Sequence, residues 1–206
     1  MRGEVRMLLT RDQLGALSEL VSLGVGRAGG LLSEMLGARL ELWAPEVTAG
    51  TPTELEPHVG ERADDPLAIV DLPLSGAFEG RGMLCFSPSD ATRLVRLLTG
   101  GTAQTDGIDP MQAGALAEIG SVVLNGVVVA LSQLVSRTTR CGVPQCSVSS
   151  LRERLARSVA PAATIVAPTP FAVEHHRIEG TLVLVLSSGA FDGLIAAIDP
   201  LAGESA

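Results

Sequence analysis

The stretch "SELVSLGVGRAGGLLSEMLG", Ser18–Gly37, decides the fold. Leu20, Leu23, Leu31, Leu32 and Leu36 recur as the apolar positions of a helix, yet Gly24, Gly26, Gly29 and Gly30 lie inside it. Each interior glycine costs a helix about 1 kcal/mol relative to alanine. That cost is offset where small residues let a second backbone come close. The chain supplies such a partner. "GALSE" at Gly15–Glu19 matches "GALAE" at Gly114–Glu118, an offset of 99 residues. The same offset aligns Ser22 with Ser121, Leu32-Ser33 with Leu131-Ser132, and Pro45 with Pro144. Two halves on one plan follow, about 11–98 and 110–200, in a single domain.

Working outward, each long helix (11–37 and 110–136) is followed by matching elements. "ARLELWAPEV" (Ala38–Val47) alternates as a strand, and "CGVPQCSVSS" (Cys141–Ser150) is its counterpart. Thr48–Asp65 reads as a polar loop and Leu151–Ser158 as an arginine-rich link or short helix. Two hairpins come next, "PLAIVDLPLSG" with "GRGMLCFSP" and "ATIVAPTPFAV" with "GTLVLVLSS", the second with "HHRIE" in its turn. "SDATRLVRLLTGG" opens on a serine cap and ends in glycines, which predicts a helix over about Asp90–Leu98. The expected fold is α/β: two helix-plus-three-strand halves forming one sheet of about six strands, with the two long helices packed on it. The second helix carries Val123, Asn125, Val128 and Val129 where the first has its glycines, so crowding is expected on the first helix alone. A phosphate-binding glycine loop fails for "GVGRAGG", which lacks a preceding strand and a Lys-Ser/Thr ending.

Composition narrows the function. Hydrophobic residues make up 46% of the 206, so a real core forms, and aromatics are only 2%, so it is built from aliphatic side chains. A net charge of −8 and the lack of any basic run exclude a nucleic-acid surface. Cys85, Cys141 and Cys146 make neither a disulfide framework nor a zinc set, and His175-His176 reads as a solvated turn pair. "MRGEVRMLLTRDQ" lacks the apolar run of a secretory signal, and "GSVVLNGVVVALSQLV" is too short and too polar to span a bilayer. Reduced cysteines in a cytoplasmic protein are the expectation.

One constellation carries chemistry. Glu19-x-x-Ser22 and Glu118-x-x-Ser121 each place a carboxylate and a hydroxyl on one helix face. A glutamate early in a helix also favours the macrodipole, which is the structural explanation for either one alone. Glu19, two residues, Ser22, twenty-two residues, Pro45, and Glu118, two residues, Ser121, twenty-two residues, Pro144, form a duplicated frame. In this frame the chain resembles the CheC/CheX/FliY family of bacterial chemotaxis phosphatases. "SELVSLGVGRAGGLLSEMLGARLELWAPEV" resembles the family's first signature and "LAEIGSVVLNGVVVALSQLV" the second. "LPLSGAFEGRGMLCFSP" looks like the hairpin between them, so the resemblance covers essentially the whole chain.

The resemblance implies a CheC-like fold of the short type, without a flagellar switch domain. It implies a phosphorylated CheY-type response regulator as partner, a possible CheD-type deamidase as a second, and no cofactor beyond the Mg2+ that the regulator holds. In the family the glutamate pairs with a lysine beside the regulator's aspartyl phosphate, and an asparagine three residues on orients the attacking water. Glu19 and Glu118 match the docking glutamate. The asparagine is replaced by Ser22 and Ser121, and the residue four before the glutamate is Gly15 or Gly114. A hydroxyl both donates and accepts, but it is shorter than an amide. Asn125, seven residues after Glu118, is a possible substitute in the second half, where the first has Gly26. Three readings stay open: a phosphatase, a docking protein without hydrolysis, and a scaffold akin to the middle domain of flagellar switch proteins.

Overall fold

The computed structural model describes residues 9–44, 46–55, 59, 64–100, 108–156, 162–173 and 176–202. Helix α1 spans Arg11–Leu36 and α4 spans Pro110–Leu134. Both open on a capping box. The Thr10 hydroxyl accepts from Gln13 N while the Gln13 carboxamide accepts from Thr10 N, and Asp109 and Gln112 repeat the exchange. Gly37, at φ 61°, closes α1 in the left-handed conformation that glycine adopts without a Cβ penalty.

Behind α1 come β1 (Leu40–Leu42), β2 (Thr48–Gly50), α2 (Pro52–Leu55), β3 (Leu67–Gly76), β4 (Gly80–Phe86) and α3 (Pro88–Thr99). Behind α4 come β5 (Thr139–Cys141), β6 (Gln145–Ser149), α5 (Leu151–Ala156), β7 (Ala162–Pro168), β8 (Phe171–Val173), β9 (His176–Ile178), β10 (Gly180–Ser187) and α6 (Ser188–Ala202). The larger sheet is antiparallel, in the order β2-β7-β10-β4-β3-β5, and β6 also pairs with β3. At its centre β4 meets β10, with Met83 opposite Val183. A smaller sheet runs β1-β8-β9.

Alternation along the central strands divides the core. Val70, Leu72, Leu84, Leu182 and Leu184 join the cluster that holds Leu17, Val21 and Val25 of α1 and Leu124 and Val127 of α4. Ile69, Met83, Cys85, Val183 and Val185 face the other way, onto Leu55 of α2 and Leu151 and Leu155 of α5. The sheet is thus covered on both sides, which explains its nearly continuous apolar strands.

Several sequence expectations change. The first predicted strand shrinks to β1; Pro45 lies outside the described residues. The predicted polar loop holds β2 and α2. The counterpart strand is two pieces, β5 and β6, because Gly142 to Pro144 interrupt it. The serine that caps α3 is Ser87, whose hydroxyl accepts from Asp90 N, with Pro88 as first helical residue. His176 lies in β9 instead of a turn, since β8 leaves the main hairpin to pair with β1 and β9 pairs with β8; His175 lies outside the described residues. Hence two sheets replace the expected one.

The glycines divide as well. A Cβ on Gly24 would lie 2.5 Å from Val127 Cα, and one on Gly126 would lie 2.6 Å from the Gly24 carbonyl oxygen. The two long helices therefore cross backbone to backbone. Gly29 backs onto Leu42, whereas Gly26 and Gly30 face open space. Crowding is not confined to the first helix: Gly126 contributes half of the crossing.

Candidate functional site

Both candidate turns lie early in their helices, on the side away from the sheet. Glu19 and Glu118 are exposed, and Ser22 and Ser121 are half-buried beside them. The helical period explains this. Leu17, Val21 and Val25 point inward from α1, as do Leu116, Ile119 and Val123 from α4, so the residues between them point out. Gly15 and Gly114, four residues before each glutamate, are exposed with nothing near them.

The two serines are used differently. Ser22 Oγ donates to the carbonyl oxygen of Ala44 at 2.9 Å, tying α1 to the segment after β1. Ser121 Oγ accepts from Asn125 Nδ2 at 3.1 Å. Asn125, half-buried, thereby stands next to the serine. It also lines an open groove of about 480 Å³ with Ser132, Gln133, Arg137 and Thr139. The sequence brought Glu19 with Ser22 and Glu118 with Ser121 onto common faces; it gave no sign of the Ala44 carbonyl, a backbone group 22 residues away. Further along the helices, Ser33 Oγ bonds the Leu40 carbonyl and Ser132 Oγ bonds Thr139, each anchoring its helix to the strand that follows.

A second polar group escaped the sequence reading. Asp71 on β3, only 4% exposed, has Arg81 Nε 3.3 Å from Oδ1 and Arg154 Nη1 3.4 Å from Oδ2. Arg154, on α5, also donates to Ser147 and Ser149 of β6. Burial holds the Asp71 carboxyl above its ordinary range, and the two arginines oppose that shift. The only sequence signal was an aspartate inside an apolar strand. The three cysteines are free. Burial raises all three thiols, Cys85 to about 12 and Cys146 to about 11, so none is a thiolate nucleophile at neutral pH. Asp71 and Cys85 belong to the side of the sheet opposite the candidate turns, whereas Cys141 lines the groove with Asn125.

The architecture, a two-helix layer on a broad antiparallel sheet with a smaller second sheet, is a fold shared with FliY and with the FliM middle domain. FliY from Thermotoga maritima superposes with a TM-score of 0.76 at 16% identity, covering 94% of this chain and 99% of its own. The FliM middle domain from H. pylori gives 0.66 at 14% identity, covering 92% and 99%. In sequence, the chain is 24% identical over 143 residues to the CheY-P phosphatase CheC of Bacillus subtilis (strain 168), 68% of either chain. No family model matches the chain.

Proposed function

We propose that this chain is a CheC-like chemotaxis protein that docks on a phosphorylated CheY-type response regulator. The observation that carries the reading is the pair of exposed glutamates, each with a serine one turn on, at the same place in the two long helices. A carboxylate held on a helix, with no partner among the described residues, suits pairing with a lysine of another protein. The similarity to CheC in sequence and to FliY in fold supports the assignment. On this reading Glu19 and Glu118 dock, Ser22 and Ser121 stand beside the regulator's phosphate, and the only metal is the regulator's Mg2+. The strand order, in which β2 crosses to β7 and β6 crosses to β3 about a central β10–β4 pair, supports two repeats exchanged within one domain.

The test is binding of a CheY-type regulator in two states, untreated and carrying beryllofluoride as a phosphate mimic. Tighter binding of the second is expected, with loss of binding when Glu19→Arg and Glu118→Arg are combined. Equal affinity for both states, or none for either, overturns the reading. A scaffold role akin to FliM is the second reading, favoured by the likeness to its middle domain. It is the one left if the double variant binds the regulator unchanged.

A further inference from the structure

The two turns carry different hydrogen bonds. Ser22 gives its single hydroxyl hydrogen to the Ala44 carbonyl, a backbone group that cannot swing away without moving the segment after β1. Position 26, one turn further, is a glycine facing open space. At the α1 turn the motif serine is therefore spent on the main chain, and no side chain stands at the position that Asn125 fills on α4. At the α4 turn the direction of the bond is reversed. Ser121 accepts from the Asn125 amide, and its own O–H has no acceptor among the described residues. Asn125 uses one amide hydrogen on Ser121, and its carboxamide oxygen has no bond among the described residues. Both residues are half-buried on the side that also carries Glu118. Ser121 and Asn125 together present one free donor and one free acceptor about a hydrogen bond apart, which is what it takes to hold one water in a fixed orientation.

From this we infer that only the α4 turn promotes hydrolysis, with Asn125 as the residue that holds the attacking water and Ser121 as the positioning residue that sets the Asn125 amide. The α1 turn docks without turning over. This rests on the docking reading above. The step balances simply. The water oxygen bonds to phosphorus as the bond from phosphorus to the regulator's aspartyl oxygen breaks. The aspartate leaves as a carboxylate with the electron pair, inorganic phosphate takes the water oxygen, and the surplus proton goes to solvent. Neither Ser121 nor Asn125 changes its covalent state. Their contribution is orientation, which matters in a reaction whose barrier is largely a matter of placing the nucleophile in line.

The experiment measures phosphate release from a CheY-type regulator phosphorylated with phosphoramidate, in single turnovers with the full chain in excess. Binding to the same regulator carrying beryllofluoride is measured in parallel. Asn125→Ala should slow the saturated rate tenfold or more while the affinity stays within twofold, the mark of a group that acts in the transition state. Ser121→Ala should do the same, and Ser121→Thr, which keeps the hydroxyl, should restore the rate. In the regulator-free chain, Ser121→Ala should also shift the Asn125 side-chain amide resonances. Unchanged turnover in Asn125→Ala overturns the inference, as does turnover that vanishes with Glu19→Ala and survives Glu118→Ala. Binding without acceleration over spontaneous decay sinks hydrolysis and leaves docking intact. No binding at all removes both.

Discussion

Ser22 and Ser121 follow a glutamate at the same spacing in two similar helices, yet one ties its helix down and the other supports a neighbour. The difference lies outside the motif. Ser22 has the Ala44 carbonyl opposite it at 2.9 Å, whereas Ser121 has Asn125 one turn along its own helix. A hydroxyl takes whichever partner its surroundings leave unsatisfied, because an unpaired polar group near a core costs more than a bond gains. The same motif thus ties its helix to a distant carbonyl in one place and receives a neighbour's amide in the other. The same lesson applies within "GVGRAGG", where Gly24 makes the helix crossing and Gly26, two residues on, touches nothing.

The crossing is common to both turns, so breaking it should erase the contrast between them. Gly126→Val would drive a side chain into the Gly24 carbonyl oxygen, 2.6 Å from the first added carbon. A loss of about 3 kcal/mol or more is expected. Thermal unfolding checks it, and regulator binding should then fail at both turns together. Retention of the wild-type melting temperature would mean that the helices do not meet there.

The outward glycines should behave in the opposite sense. Gly26→Ala and Gly30→Ala add a methyl to open space, and each should stabilise the helix by up to about 1 kcal/mol in denaturant titrations. Gly24→Ala, whose added methyl would meet the α4 backbone, should destabilise. A common sign for all three would contradict the division into inward and outward positions.

The serines differ by less. Ser22→Ala removes a side-chain bond to a main-chain carbonyl and should cost about 1 kcal/mol of stability. Ser121→Ala loses only a bond within one helix and should cost a few tenths. Equal costs, measured in the same denaturant series, would remove the structural half of the comparison.

The smallest effect lies on the opposite side of the sheet, in the Asp71 group. The folded-state pKa of Asp71 is raised above the ordinary carboxylate value, chiefly by burial. The sign follows from linkage. A raised carboxyl favours folding below its unfolded pKa, and that contribution is lost as pH rises through the folded value. Asp71→Asn cannot lose a proton, so its stability should fall less than that of the wild type as pH rises from about 4. Parallel curves in denaturant titrations across pH 4–7 would show that Asp71 is not the group responsible. Its distance from both turns makes it a control: neither turn should respond to this variant.

Much of this was legible in the chain itself. Capping boxes, helical periodicity and apolar alternation are local, so α1, α4, the hairpin strands and the Glu-x-x-Ser faces follow from neighbouring residues alone. Local rules also show where they end. The cap of α3 is Ser87, two residues before the serine the helical pattern suggests, because both are good caps and Pro88 takes the first helical position. What the tertiary structure decided was pairing across sequence distance. β8 and β9 form a strand pair beside β1, and Asp71 is tolerated in an apolar strand because Arg81 and Arg154 reach it. Gly126 matters only because Gly24 faces it, and Ser22 is spent only because the Ala44 carbonyl comes within reach. Each of these depends on the distance between groups far apart in the chain, and such distances are set by packing of the whole domain, which no window of sequence contains.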